Sequence, residues 1–192
     1  MGMRNEKSIE NSLVIRVAQG DQEALAELYS LHATEMLNLA RRIVVDEDDA
    51  NDLIHDLFLL LPKKLKSFRG ESTLSTWLFR LVTNESISFL RKKRRRSSLL
   101  NRFFSSVPEE VEAPRQEEGE YKEIVDQLLM IYPPQIRAML WMKEAEGIDL
   151  KSIAEVMKLP EGTVKSRMAR AKQKGLRWLE ENGYGTFSEI IS

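Results

Sequence analysis

The chain contains no cysteine among its 192 residues. That excludes disulfides, thiolate metal sites and a cysteine redox switch, and it fits a reducing compartment. Histidine occurs only twice, at His32 and His55, too few without thiolate partners to build a transition-metal site. An EF-hand reading from Asp46 fails because Ala50 and Asn51 stand where a carboxylate or amide and then a glycine are required. No metal is expected. Long apolar runs are missing as well. The longest, Leu57 to Leu61, is far below the roughly 20 residues that cross a bilayer. Arg4, Glu6, Lys7 and Glu10 interrupt the N-terminus and leave no signal-peptide core. A cytoplasmic protein without membrane insertion is expected. There is no glycine-rich phosphate loop and no serine–histidine or cysteine–histidine pairing, so neither a cofactor nor an enzymatic activity is expected. No segment shows sustained period-two alternation, which argues against sheets and for an all-α fold.

Net charge is nearly absent, with 29 Lys and Arg against 30 Asp and Glu. The balance hides segregation. Arg91 to Arg96 and Lys165 to Arg177 are basic, whereas Asp46 to Asp56 and Glu109 to Glu123 are acidic. Charge sorted in this way implies several surfaces with different partners.

The most informative stretch is Asp149 to Lys174, which reads as two short helices joined by a tight turn. Asp149 is placed to cap the first. Ile153, Ala154 and Met157 share one face of it, and Leu159-Pro160-Glu161-Gly162 interrupts the helix. On the second helix Val164, Met168 and Ala171 form a narrow apolar stripe. Ser166, Ala169, Arg170 and Gln173 point the other way. Lys165 and Lys172 flank that face on one side; Thr163, Arg167 and Lys174 flank it on the other. The segment from Lys165 to Arg177 holds six basic residues and no acidic one. Small residues at Ser166 and Ala169 allow close approach, and the flanking donors reach phosphates and base edges. This is how the second helix of a helix-turn-helix enters a major groove.

Upstream, Leu13, Val14, Val17 and Ala18 predict a first short helix ended by Gly20. Asp21 is placed to cap a long second helix. Its buried stripe is Leu25, Leu28, Tyr29, His32, Met36, Leu39, Ala40 and Ile43. Asp46 to Asp49 put carboxylates at the start of a third helix, with Leu53, Ile54, Leu57, Phe58 and Leu61 inward and Pro62 ending or kinking it. Ser72 or Thr73 can cap a fourth, whose core face is Leu74, Trp77, Leu78, Leu81 and Val82. Residues 97–119 change to Ser, Pro, Glu and Arg and read as a linker, with Leu99, Leu100, Phe103 and Phe104 as a docking patch. The division expected is residues 10–96, a linker over 97–119, a second helical domain over 120–182 and a tail over 183–192. In the second domain Ile124, Leu128 and Ile131 predict one helix, and Tyr132-Pro133-Pro134 opens the next.

Ile153-Ala154-Glu155 followed by Pro160-Glu161-Gly162-Thr163-Val164-Lys165-Ser166-Arg167 resembles the promoter-reading motif of bacterial sigma factors of the extracytoplasmic-function group. Asp49-Ala50-Asn51-Asp52-Leu53-Ile54-His55-Asp56-Leu57-Phe58-Leu59 resembles the family helix that docks on the polymerase clamp. Phe68-Arg69-Gly70-Glu71-Ser72 with Thr76-Trp77-Leu78 resembles the segment that helps to open promoter DNA. Thr83-Asn84 with Leu90-Arg91-Lys92-Lys93-Arg94 resembles the reader of the downstream element. The resemblance covers roughly residues 12–95 and 120–180, in order and spacing. It implies two helical domains, sigma regions 2 and 4. Core RNA polymerase, promoter DNA and an anti-sigma factor are the implied partners, for a chain that is monomeric when free.

The site residues implied are, for polymerase binding, Asp49, Asp52, Leu53, His55, Asp56, Phe58 and Leu59. For the downstream element and melting they are Arg69, Ser72, Thr73, Trp77, Arg80, Asn84, Arg91 and Lys92. For the upstream element they are Thr163, Lys165, Ser166, Arg167, Ala169, Arg170 and Lys172. Trp77 fits a core position and a base-stacking platform equally well. Tyr132, His55 and Pro62 depart from the family pattern, which usually has leucine, glutamine and tryptophan there. A stand-alone helix-turn-helix regulator is the rival reading. It would require a dimerisation helix and a palindromic site, and it leaves residues 10–96 unexplained.

Overall fold

The computed structural model describes residues 12–103 and 120–184, with side chains described over 12–96 and 124–184. All regular structure among the described residues is helical. Helix α1 covers residues 12–18. It is followed by α2 (Gln22–Val44), α3 (Glu47–Leu65), α4 (Leu74–Phe103), α5 (Glu120–Met130), α6 (Pro134–Glu144), α7 (Leu150–Met157) and α8 (Glu161–Glu181).

Capping chemistry sets the starts. The side chains of Asp21, Asp46 and Asp149 accept from the backbone N–H of Ala24, Asp49 and Ser152, at 3.0, 2.9 and 2.9 Å. Thr73 caps α4 through the Thr76 N–H. Between α7 and α8 the chain turns at Lys158, whose left-handed conformation (φ 54°) closes α7. Gly162 falls inside the first turn of α8 rather than in the break.

Helices α1 to α4 enclose one part of the core, with Leu28, Met36, Leu39, Ile43, Leu61 and Leu78 fully buried. Helices α6 to α8 enclose the other around Met139, Met142, Ile153 and Val164. The two parts form one continuous cluster, because α2 packs on α6 and α4 packs on α7. The junction is polar at its edge. Arg137, only 7% exposed, donates from Nη2 to the Ile43 carbonyl at 2.8 Å. It thereby satisfies one of the last carbonyls of α2, at the negative end of the helix dipole. Arg42 pairs with Asp126 at 2.5 Å and lies over the Trp141 ring, 4.9 Å from its centroid. Burial pushes the Arg137 guanidinium below its ordinary pKa.

Two expectations are corrected here. Pro62 does not end α3, which runs to Leu65 with the proline inside. In the last turn its missing N–H frees only the Phe58 carbonyl. Tyr29 is not in the buried stripe. It is 52% exposed, with its ring against Phe58 at 4.7 Å. Helix α4 runs through the basic block to Phe103, into the start of the segment read as a linker, since arginine and lysine are good helix formers. The rest of the expected linker, 104–119, the side chains of its docking patch and the tail from 185 lie outside the described residues.

Candidate nucleic-acid interfaces

The first surface is the outer face of α8. Val164, Met168 and Ala171 are buried, which fixes the rotation of the helix and turns Lys165, Arg167, Ala169 and Arg170 to solvent. Thr163 and Ser166 are half-buried at its N-terminal end, and the Ser166 hydroxyl donates to the Thr163 carbonyl at 3.0 Å. Lys172 is exposed but paired with Glu144 of α6 at 2.9 Å. Helix α7 is held under α8 by Ile153 and Val156, the latter a core residue that the sequence pattern did not single out. The Ser152 backbone N–H, and then its hydroxyl, hold the Asp149 carboxyl below its ordinary pKa.

The second surface lies where the loop before α4 meets the first turns of that helix. Trp77 is 6% exposed and packs edge-on against Phe68, with centroids 5.7 Å apart. It is a core residue whose remaining edge lines a cleft of about 560 Å³ together with Arg69, Ser72 and Arg80. Thr73 lines an adjoining cleft. Asn84 is exposed two turns further along α4, followed by exposed Arg91 and Lys92. Glu155 of α7 closes one side of the cleft, a contact that no local sequence pattern announces.

The third surface is on α3. Asp52, His55, Asp56 and Leu59 are exposed at spacings of three and four and share one face. Leu59 is 63% exposed, and Leu60 on α3 and Tyr29 on α2 are further exposed apolar residues. Three expected members of this surface are placed differently. Leu53 and Phe58 are buried at 8% and 6% in the core beneath the helix. The Asp49 carboxylate is already engaged by Lys93 of α4 at 2.5 Å. Tyr29 reads from the sequence as part of the buried stripe of α2, and Leu60 is not singled out there, although two adjacent leucines outside the helix stripe are the available signal for Leu60.

Comparison with known proteins decides what carries these surfaces. Residues 28–96 match the family model described as Sigma-70 region 2, and residues 120–174 match Sigma-70, region 4. The chain is 30% identical over 178 residues to an ECF RNA polymerase sigma-E factor of Haemophilus influenzae, covering 88% of this chain and 94% of that one. The chain belongs to the extracytoplasmic-function RNA polymerase sigma factors. Another relative of this sigma factor, the RNA polymerase sigma-H factor of Pseudomonas aeruginosa, is 31% identical over 174 residues, 85% of this chain and 90% of its own. Two solved structures share the fold. One is the sigma factor RpoE in complex with the anti-sigma factor NepR from Bartonella quintana. It has TM-score 0.67 and 24% identity, over 81% of this chain and 96% of that one. The other is CnrH in complex with the cytosolic domain of CnrY. It has TM-score 0.64 and 22% identity, over 88% and 96%. No described helix of this sigma factor is long and apolar enough to cross a membrane.

Proposed function

We propose that this sigma factor binds core RNA polymerase through the exposed face of α3, reads the upstream promoter element with α8 and acts on the downstream element and the opened strand with the cleft of α4. The observation that carries the reading is the presence, on one chain that matches sigma relatives nearly end to end, of an outward basic helix and a separate polar cleft. A groove-reading helix alone would serve a simple regulator. The cleft, with Trp77 as its wall and Arg69 and Arg80 at its rim, adds what a melted strand needs: a ring edge, cations for phosphates and the Ser72 hydroxyl for base edges. Nothing in these surfaces calls for bond chemistry, and the role is that of an initiation factor rather than an enzyme. A cytoplasmic, monomeric chain held by an anti-sigma factor until needed completes the reading. One protein of this fold, the sigma factor RpoE, is seen in complex with the anti-sigma factor NepR.

The test is run-off transcription with purified core polymerase and a promoter library. Transcripts from a subset of promoters, absent with core enzyme alone, are expected. Binding to duplex DNA with no transcription from any promoter would return the protein to the class of stand-alone regulators.

A further inference from the structure

The six cations between Lys165 and Arg177 divide into two groups in the folded chain. Lys165, Arg167 and Arg170 are exposed in the N-terminal half of α8. In the C-terminal half the cations turn back onto the protein. Lys172 pairs with Glu144 at 2.9 Å, and Arg177 donates to the Gln173 carbonyl of its own helix at 3.4 Å. Lys174 makes a contact of another kind. Its Nζ donates to the Ile131 carbonyl at 2.7 Å, 43 residues earlier in the chain. It also lies 5.9 Å from the centroid of the Tyr132 ring. Ile131 directly follows α5, so its carbonyl belongs to the group that a helix end leaves without an intrahelical partner, at the negative end of the dipole. An ammonium suits this place as a donor and as a charge, and the ring face attracts the same cation.

About one turn back along α8, the Ala171 carbonyl accepts from the Tyr132 hydroxyl at 2.8 Å. Helix α8 is therefore tied at two points to the turn between α5 and α6. A single tie would let the helix roll about the contact; two ties fix its roll and its slide. Arg170 stands beside the first tied residue, so its direction is set by both. At 100° per residue, Lys174 lies about a quarter turn from the face of Ser166, Ala169, Arg170 and Gln173, on the side of the α5–α6 turn. We propose that Lys174 is a positioning residue for promoter recognition: it binds no phosphate but holds α8 at the roll in which Arg170 meets base edges. The inference rests on the reading of α8 as the upstream-element helix. A binding side chain needs its support held within about 0.5 Å and 10–20°, whereas a phosphate contact asks only for a nearby charge. Loss of the Lys174 tie should therefore degrade discrimination more than affinity.

The test measures binding of the full chain to a randomised duplex over a range of salt concentrations. The native chain and Arg170→Ala together mark the base positions that depend on Arg170. Lys174→Met removes the donor and the charge but keeps a stem of similar length. It should reduce preference at those same positions about three- to tenfold and leave the salt slope as it was. Thermal melts run alongside, since a merely weaker fold would lower binding to every sequence alike and leave preference intact. Lys174→Arg can still donate to the carbonyl and stack on the Tyr132 ring, so it should keep the native preference. Unaltered preference in Lys174→Met overturns the positioning role. So does a salt slope lower by about one unit, the signature of a phosphate contact, and so does a Lys174→Arg chain no more selective than Lys174→Met. The two readings fail separately. A native chain that selects bases through Arg170, beside an indifferent Lys174→Met, loses only the positioning role. A native chain with no preference that depends on Arg170 loses the proposed reading of α8 as well.

Discussion

The hydroxyl of Tyr132 occupies the space where Gly175, in the middle of α8, has no side chain. It donates to the Ala171 carbonyl at 2.8 Å, and a Cβ at position 175 would collide with it. A glycine inside a helix is unfavourable by about 1 kcal/mol relative to alanine. Here the vacancy lets a tyrosine, 6% exposed, dock α8 against the turn between α5 and α6. Burial pushes the phenol above its ordinary pKa, so the hydroxyl stays protonated and able to donate at neutral pH. Lys174 reinforces the same turn by donating to the Ile131 carbonyl at 2.7 Å.

This pair makes a coupled prediction. Gly175→Ala alone should destabilise the chain by about 1–3 kcal/mol, the usual range for overpacking, despite alanine's better helix propensity. Tyr132→Leu alone loses the hydrogen bond and leaves a gap. Combined, the two changes should cost less than the sum of the singles, because the leucine no longer needs the vacancy. Urea unfolding of the four proteins measures the coupling. Strictly additive losses would show that the two residues do not share this space.

The helices were legible in the sequence because their apolar residues recur at the helical period and their caps are explicit. The wheel of Val164, Met168 and Ala171 predicted the rotation of α8, and Asp149 caps α7 as its position implied. Tyr29 fits the α2 stripe by spacing but has a large ring at the edge of the α2–α3 contact, so it lies on Phe58 and stays exposed. Pro62 does not end α3, because a proline's damage depends on how many turns follow it, which periodicity does not report. The junction between the halves was not legible at all. Arg137 and Glu155 read locally as ordinary surface charges of short helices, and only the chain's long return brings them to Ile43 and the cleft.

The caps predict an acid limit to stability. The Ala24 N–H and then Arg16 hold Asp21 below its ordinary pKa, and Ser152 does the same for Asp149. A carboxyl depressed in the folded state contributes stability that is fully present above the unfolded value, about 3.9, and is lost as pH falls through the folded value. Both contributions should therefore be intact at neutral pH and fade below about pH 4. Asp149→Asn keeps a good cap without a titrating group, so it should leave the neutral melting temperature nearly unchanged and flatten the acid slope. Asp149→Ala should lower stability at neutral pH by about 1 kcal/mol. Thermal melts from pH 3 to 7 decide this. An unchanged acid slope in Asp149→Asn would assign the acid sensitivity elsewhere.

On α3 the predicted contacts separate by what each carboxylate already does. Asp56 is exposed and shares its face with Asp52, His55 and Leu59. Asp56→Lys should weaken binding to core polymerase about tenfold, as like-charge contacts do across interfaces, and leave the melting temperature alone. Asp49 is paired with Lys93, so Asp49→Ala should also lose the small stabilisation of an exposed ion pair, about 0.2–1 kcal/mol. Titration of labelled chain with core polymerase, beside thermal melts, distinguishes the two. Full-strength assembly by Asp56→Lys would move the docking surface off this face.

On α8 the question is which cations specify a sequence and which merely attract DNA. Arg170 is exposed on the face opposite Met168, where a helix lying in the groove meets base edges. Lys172 lies on the flank and in the free protein is paired with Glu144. A base-edge contact by arginine is worth about 1–3 kcal/mol of discrimination, whereas a phosphate contact acts through counterion release and changes the salt slope by about one unit. Arg170→Ala should therefore relax preference at one or two bases of the upstream element. Lys172→Ala should weaken all sequences alike and flatten the salt dependence. Lys172 must also leave Glu144 to reach a phosphate, so Glu144→Gln should strengthen binding to every duplex without altering preference. Binding of the full chain to a randomised duplex at several salt concentrations reads all three variants at once. A shift of base preference in Lys172→Ala but not in Arg170→Ala would mean that α8 enters the groove rotated toward its Lys172 flank, with Glu144 then bordering the bases.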